Sequence, residues 1–396
     1  METAPQISFD NTAVAFKYKS DNALRKANFI FSLVNHPWIS SLATGFVKFS
    51  FLLRLPVDSI IKRTAFEHFC GGESIADSER VIEQLANYGV QTILDYSAEG
   101  EKTEAGFDNA VEETLRTIEK ARSESHIPFS VFKISGIASV ALLEKVQQKT
   151  TLTSAEAEAY NRIRLRVNKI CERAYDSGVP VLIDAEESWI QEPIDAMAYE
   201  MMRLYNGEKA IVFNTFQLYR TVSLINLKEA CNTAVMHNFL LGAKLVRGAY
   251  MEKERERAER FGYQSPIHPH KDATDHAFNE ALLYCLENKQ RVNMMCGSHN
   301  EYSNYFLTVM MEKHNMANND QRIWFAQLYG MSDNISFNLA KAGYNVAKYV
   351  PYGPVKKVMP YLFRRAEENT SVAGQSSREL TLIRKELKRR KESKKL

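Results

Sequence analysis

The sequence predicts an α/β fold: a (βα)8 TIM-type barrel with additional N-terminal helices and a final helix over the barrel mouth. Three observations predict it. From residue 90 onward, short β-branched or apolar runs recur eight times. Long charged segments with apolar residues at helical spacing separate them. Polar residues able to do chemistry collect at the C-terminal ends of the runs, as the active face of such a barrel requires.

Residues 1–88 lack strand patterning and read as helices, broken near Pro37, Pro56 and Gly71-Gly72. The eight candidate strands follow: "VQTILDYS" (90–97), "FSVFKISGI" (129–137), "VPVLIDAEES" (179–188), "AIVFNTFQLYR" (210–220), "GAKLVRGAY" (242–250), "RVNMMCGSHN" (291–300), "IWFAQLYGM" (323–331) and "NVAKYVPYG" (345–353). Segments such as "DNAVEETLRTIEKARSE" lie between them and carry a helical stripe. A doubly wound open sheet is the competitor. It favours a glycine-rich phosphate turn after its first strand, and no G-x-G-x-x-G occurs. The expected division is an N-terminal helical segment (1–88), a barrel (89–377) and a basic tail (378–396).

Composition narrows the function. Apolar residues make up 45 % and charged residues 25 %, ordinary for a globular protein. The net charge is +3, but residues 378–396 hold nine basic against three acidic side chains, or +6. The body is therefore mildly acidic, which argues against nucleic acid. The tail reads as a solvated, partly helical end, with attraction to anionic lipid as its functional alternative. Five cysteines, none spaced C-x-x-C, argue for a reducing compartment and against a disulfide scaffold. The longest apolar run, "WISSLATGFVKFSFLLRL", is interrupted by Lys48 and too mixed to span a bilayer. The N-terminus shows neither a signal-peptide nor a transit-peptide pattern.

The strand ends offer Asp95, Lys133, Asp184 with Glu186, Asn214 with Gln217, Arg247 with Tyr250, His299 with Asn300, and Tyr349. Asp184 and Glu186, two apart on one strand, are expected on the same side, as an acid–base pair or a rim ion pair. Lys133 and Lys244 lie within strands, where a lysine is a fixed cation or a Schiff-base nucleophile. His268, His270 and His276 are expected in a long loop, without a metal-binding spacing. After the eighth run, "YLFRRAEEN" sets Arg364 beside Arg365 on the last helix. Two guanidinium groups can clamp a small carboxylate or make surface salt bridges.

Taken jointly, "VFKISG", "VPVLIDAEES", "NTFQ.Y", "KLVRGAYM", "SHN", "LYGM", "YVPYG" and "YLFRRAEENTSV" resemble the proline dehydrogenase family over residues 90–375. The resemblance implies FAD-dependent oxidation of L-proline to 1-pyrroline-5-carboxylate, with electrons passed to quinone. It implies that Arg364 and Arg365 pair with the substrate carboxylate, assisted by Lys133, with Asp184 orienting these cations. Tyr349, Tyr361, Leu328, Ala249 and Tyr250 would enclose the ring. Asn214, Lys244, Arg247, Lys271, Thr274, Ser298, His299, Asn300 and Glu368 would contact FAD. The family often has Arg and Gln where this chain has Lys244 and Asn214. A cytoplasmic protein with peripheral membrane contact is implied, at the mitochondrial inner membrane if the source is eukaryotic. Oxidation of 4-hydroxyproline is the near alternative, opposed by Tyr349. A Schiff-base lyase using Lys133 is the alternative from another class, and a non-catalytic scaffold the third.

Overall fold

The structure, a computed structural model, describes residues 7–34, 62–97, 101–371 and 375–394, with the side chains of 33, 34, 63, 366–371, 375 and 376 outside the described set. The apolar run at 38–55 and the side chain of Glu368 therefore lie outside the described residues.

Eight strands pair in chain order as a closed parallel barrel. They are β1 (Gln91–Tyr96), β2 (Phe129–Lys133), β3 (Val181–Asp184), β4 (Val212–Gln217), β5 (Leu241–Val246), β6 (Val292–Gly297), β7 (Ile323–Leu328) and β8 (Val346–Tyr352). Each falls within a few residues of an expected run, but most stop earlier. Of the polar residues named at the ends of those runs, Asp95, Lys133, Asp184, Asn214, Gln217 and Tyr349 lie within the strands, whereas Glu186, Arg247, Tyr250, His299 and Asn300 lie beyond them. Packing resolves the chain into two compact units: Met1–Thr92 with Ser97–Glu99 and Gln327–Leu396, and Ile93–Tyr96 with Gly100–Ala326.

In the second unit the helices are α4 (Glu104–Ser123), α5 (Val140–Gln147), α6 (Ser154–Ser177), α7 (Gln191–Tyr205), α8 (Ser223–Met236), α9 (Met251–Phe261), α10 (Lys271–Glu287) and α11 (Glu301–Lys313). Their boundaries have local causes. Thr153 and Glu156 close a capping box at the start of α6, and Gly178 ends it in the left-handed conformation. Ile163, Val167, Ile170, Cys171 and Ala174 form its buried stripe. Strand register sets which side chains fill the barrel. Ile93 stands opposite Phe129, Lys133 opposite Asp184, and Thr215 opposite Lys244. Phe129 meets Phe213 edge-on at 5.5 Å and Trp324 at 5.3 Å, an aromatic plug at the N-terminal end of the interior. Gly242 makes room for it: a Cβ there would lie 2.4 Å from the Val212 carbonyl oxygen and 2.7 Å from the Phe213 ring.

The first unit contains α1 (Thr12–Ala15), α2 (Asp21–Val34), α3 (Ile75–Ala86), α12 (Asp333–Lys341), α13 (Val355–Ser371) and α14 (Gln375–Ser393). The two ends of the chain share one core. Phe16, Leu24 and Phe31 pack with Val358, Tyr361 and Leu362 of α13 and with Leu380, Leu382 and Ile383 of α14. Here the structure corrects the expected solvated tail. Residues 378–393 are a docked amphipathic helix, and most of their cations are already engaged. Arg378 pairs with Asp10, Lys385 donates to the Asp10 carbonyl oxygen, and Lys394 pairs with Asp21. Arg390 reaches Asp21 and Glu386, and Arg389 also meets Glu386. Composition shows the charge; only the fold shows the acidic residues near the N-terminus that answer it.

Candidate active site

In the second unit, charged side chains meet inside the C-terminal end of the barrel. Lys133 is the last residue of β2 and Asp184 the last of β3, so parallel pairing sets them side by side. The Lys133 ammonium lies 3.0 Å from Asp184 and 4.0 Å from Asp95 of β1. Lys244 of β5 reaches the other Asp184 oxygen at 2.5 Å. Burial pushes the Asp184 carboxyl up, but the two ammonium groups outweigh it and bring it down to about 2. Burial lowers the pKa of Lys244, and Asp184 resists that shift. A nucleophilic lysine must offer a lone pair, and an ammonium held by a carboxylate does not. The cluster therefore favours Lys133 as a fixed cation over Lys133 as a Schiff-base former.

The expected pairing of Asp184 with Glu186 does not form. β3 stops at Asp184, so strand alternation does not carry on to Glu186. Glu186 turns to the loop after β2, where its carboxylate accepts the Ser135 backbone N–H at 2.8 Å and the Ser135 hydroxyl. Burial pushes it up to about 7. Gln217 donates to the Glu186 carbonyl oxygen at 2.7 Å and accepts the Ala249 N–H at 3.3 Å. The ends of β2, β3, β4 and β5 are thereby laced together beside Lys133 and Ala249. Tyr250 is buried at the start of α9.

Of the expected flavin contacts, one group assembles. Arg247 donates to Asp275 and Ser298 at 2.7 and 2.6 Å and to Ser303 at 2.9 Å, with its guanidinium 4.4 Å from the centre of the Phe278 ring. Lys271 pairs with Asp275 from the first turn of α10. Burial raises the Asp275 pKa, but Lys271 and Arg247 bring it below the usual carboxylate range. Thr274 is buried in that same first turn. Asn300 caps α11, accepting the Ser303 N–H at 3.0 Å, while its own N–H meets Ser298 at 3.1 Å. His299 is the half-buried residue between them. The start of α10 has no side-chain cap, so its first amides and Lys271 suit a phosphate.

Asn214 departs from expectation. It shares register with Ile183 and Ala243, one residue out of phase with Asp184 and Lys244. Its side chain faces outward and donates to Asp195 of α7 at 2.8 Å. A one-residue phase difference moves a strand residue to the other face. The histidine segment also differs from the expected loop, because α10 begins at Lys271 and carries His276 as an exposed residue. Among the described residues, no group of three or more His, Cys, Asp or Glu side chains converges as a metal site.

In the first unit, α13 buries Tyr361 and Arg365 on one face, with the guanidinium 5.1 Å from the Tyr361 ring centre. Arg364 is half-buried on the adjoining face. Leu328 ends β7, and Tyr349 is buried in β8. Pro360 falls inside α13 without ending it. Sequence reasoning missed the buried partners beneath these residues. Lys348 lies wholly inside, 2.9 Å from Asp333, which also takes Lys19 at 2.8 Å and the Tyr18 hydroxyl at 2.7 Å. A lysine flanked by apolar residues in "NVAKYVPYG" was the one available signal.

The sequence model of a family described as proline dehydrogenase matches residues 78–378. Carbapenem antibiotics biosynthesis protein CarD of Pectobacterium carotovorum is 37 % identical, over 81 % of this chain and 83 % of its own length. Proline dehydrogenase 1, mitochondrial, of Dictyostelium discoideum is 34 % identical, over 85 % of this chain and 67 % of its own. Its Homo sapiens namesake is 41 % identical, over 60 % of this chain and 40 % of its own. Among solved structures, proline utilization A from Bdellovibrio bacteriovorus superposes with a TM-score of 0.72 at 19 % identity. It covers 94 % of this chain, which spans 40 % of that one, and shows the likeness of fold.

Proposed function

Because the chain belongs to the proline dehydrogenase family, we propose that it oxidises L-proline to 1-pyrroline-5-carboxylate. The observation that carries the reading is the Lys133–Asp184–Lys244 cluster, a buried set of fixed charges at the end of the barrel where this fold does its chemistry.

Lys244, Arg247, Lys271, Thr274, Ser298, His299, Asn300 and Glu368 would hold FAD. The uncapped first turn of α10 beside Lys271 supports a pyrophosphate there. Asn214 acts one step removed, by anchoring β4 to α7 through Asp195. When bound, the flavin would supply the hydride acceptor, with quinone as the class of final electron acceptor.

The protein's own contribution is positional. The family resemblance assigns the substrate carboxylate to Arg364, Arg365 and Lys133, and within the second unit Asp184 keeps the Lys133 ammonium in place. The same resemblance assigns the substrate ring to Tyr349, Tyr361, Leu328, Ala249 and Tyr250. The amine nitrogen must be neutral so that its lone pair can support loss of hydride from the adjacent carbon. No residue has to act as a strong base, because solvent can take the amine proton.

The test is the visible spectrum of the purified protein. A bound yellow chromophore, bleached by L-proline under anaerobic conditions, is expected. A colourless protein that borohydride traps on a carbonyl substrate would instead favour the lyase. Turnover on proline against 4-hydroxyproline separates the two ring substrates. For membrane contact, truncation at 378 would remove core residues. Charge reversal at the exposed Lys388 and Lys391 is the cleaner probe, and unchanged liposome binding would clear this helix of the role.

A further inference from the structure

The loop joining β7 to α12, Leu328–Ser332, is held by groups from three separate parts of the first unit: β8, the segment at His68, and α14. The Lys348 ammonium donates to the carbonyl oxygens of Met331 and, at 3.4 Å, Leu328. Burial pushes His68 down to about 3, so its ring is neutral, and Nε2 donates to the Gly330 carbonyl oxygen at 3.0 Å. The Tyr329 N–H donates to the Tyr349 carbonyl oxygen at 2.8 Å. The Ser332 N–H donates to the Glu379 carboxylate of α14 at 3.0 Å.

The loop's shape needs this support. Ser332 is in the left-handed region at φ 51. Gly330 is at φ +80, and a Cβ there would lie 2.3 Å from the His68 carbonyl oxygen. Lys348 and Asp333 have wholly buried side chains. A buried ion pair adds little net stability over an apolar pair of the same volume. What it can add is a fixed direction, and here the direction matters: Lys348 precedes Tyr349 in β8, and Leu328 opens the loop.

We propose that Lys348 and Glu379 are positioning residues for the substrate ring: Lys348 fixes Leu328 and Tyr349 from behind, and Glu379 ties the C-terminal helix into the same loop. This rests on the reading of Leu328 and Tyr349 as walls of the ring pocket. The C-terminal helix thereby becomes part of the substrate site's framework.

The experiment uses the full-length, flavin-loaded protein. Proline oxidation with a soluble dye acceptor yields KM and kcat separately. Cyclopentanecarboxylate, which lacks the ring nitrogen and cannot be oxidised in the same way, reports binding through the flavin absorbance. Lys348→Met is expected to raise the proline KM about tenfold and weaken cyclopentanecarboxylate binding by a similar factor, with kcat changed less than about threefold. Glu379→Ala is expected to raise KM several-fold, and Glu379→Gln, which keeps an acceptor for Ser332, to recover most of that loss. Should Lys348→Met not fold, the Glu379 pair carries the test. If these variants lower thermal stability but leave KM and analogue binding unchanged, while Leu328→Ala shifts both, the positioning role is overturned and the ring-wall reading stands. If Leu328→Ala also changes neither, the ring-wall reading fails and takes the inference with it.

Discussion

Asp184→Asn removes one carboxylate charge shared by two ammonium groups. The three side chains are 13 %, 21 % and 7 % exposed for Asp184, Lys133 and Lys244, so water cannot take over the lost role. A surface pair would change stability by about 0–1 kcal/mol, whereas breaking a buried pair costs about 3–5 kcal/mol. The asparagine carbonyl can still accept from one lysine, which returns about 1 kcal/mol. The expected loss at neutral pH is therefore about 2–4 kcal/mol, read as a shift in the urea midpoint. The pH dependence has a definite sign. Burial already holds the folded Lys244 pKa below its ordinary 10.5. Without Asp184 it falls further, so the folded state binds fewer protons than the unfolded one, and stability rises with pH. The deficit of the variant should accordingly shrink between neutral pH and about 10. Adding Lys133→Met should restore part of the loss, because it removes one of two like charges. A deficit under about 1 kcal/mol, or one that is flat with pH, would refute the description of a charge-sharing cluster.

Three further outcomes are expected. Arg364→Met and Arg365→Met should each weaken proline binding by about 1.5–3 kcal/mol, the range for a charge-assisted contact, with flavin content largely kept in Arg364→Met; unchanged affinity in both sinks the carboxylate clamp. Gly242→Ala should destabilise the barrel by about 1–3 kcal/mol, because the new methyl collides with the Val212 carbonyl and the Phe213 ring; an unchanged denaturation midpoint would contradict this packing. Glu186 has its pKa raised from 4.5 to about 7, so the folded state holds its proton longer and loses stability as pH rises through that interval; Glu186→Gln should flatten this part of the stability–pH curve, and an unaltered curve would count against it.

What the sequence determined by itself was local or periodic. Strands buried on both faces read as apolar runs, and their helices carry a 3.6-residue stripe, so the alternation that makes a barrel was legible without any contact being known. The crowding of Lys133, Asp184, Arg247 and Asn300 at strand ends was visible for the same reason, and so was the Arg364-Arg365 pair. Three matters were settled only by the tertiary structure. The end of β3 at Asp184 separated Glu186 from its neighbour, because side-chain alternation holds only while the strand lasts. The register of β4 turned Asn214 toward α7, and register is a property of paired strands. The charges of the C-terminal segment met Asp10 and Asp21, and Tyr18 met Asp333 across 315 residues of chain. A sequence displays a charge where it stands, but its neutralisation depends on partners that only folding brings within a few ångströms, where burial makes the pairing count.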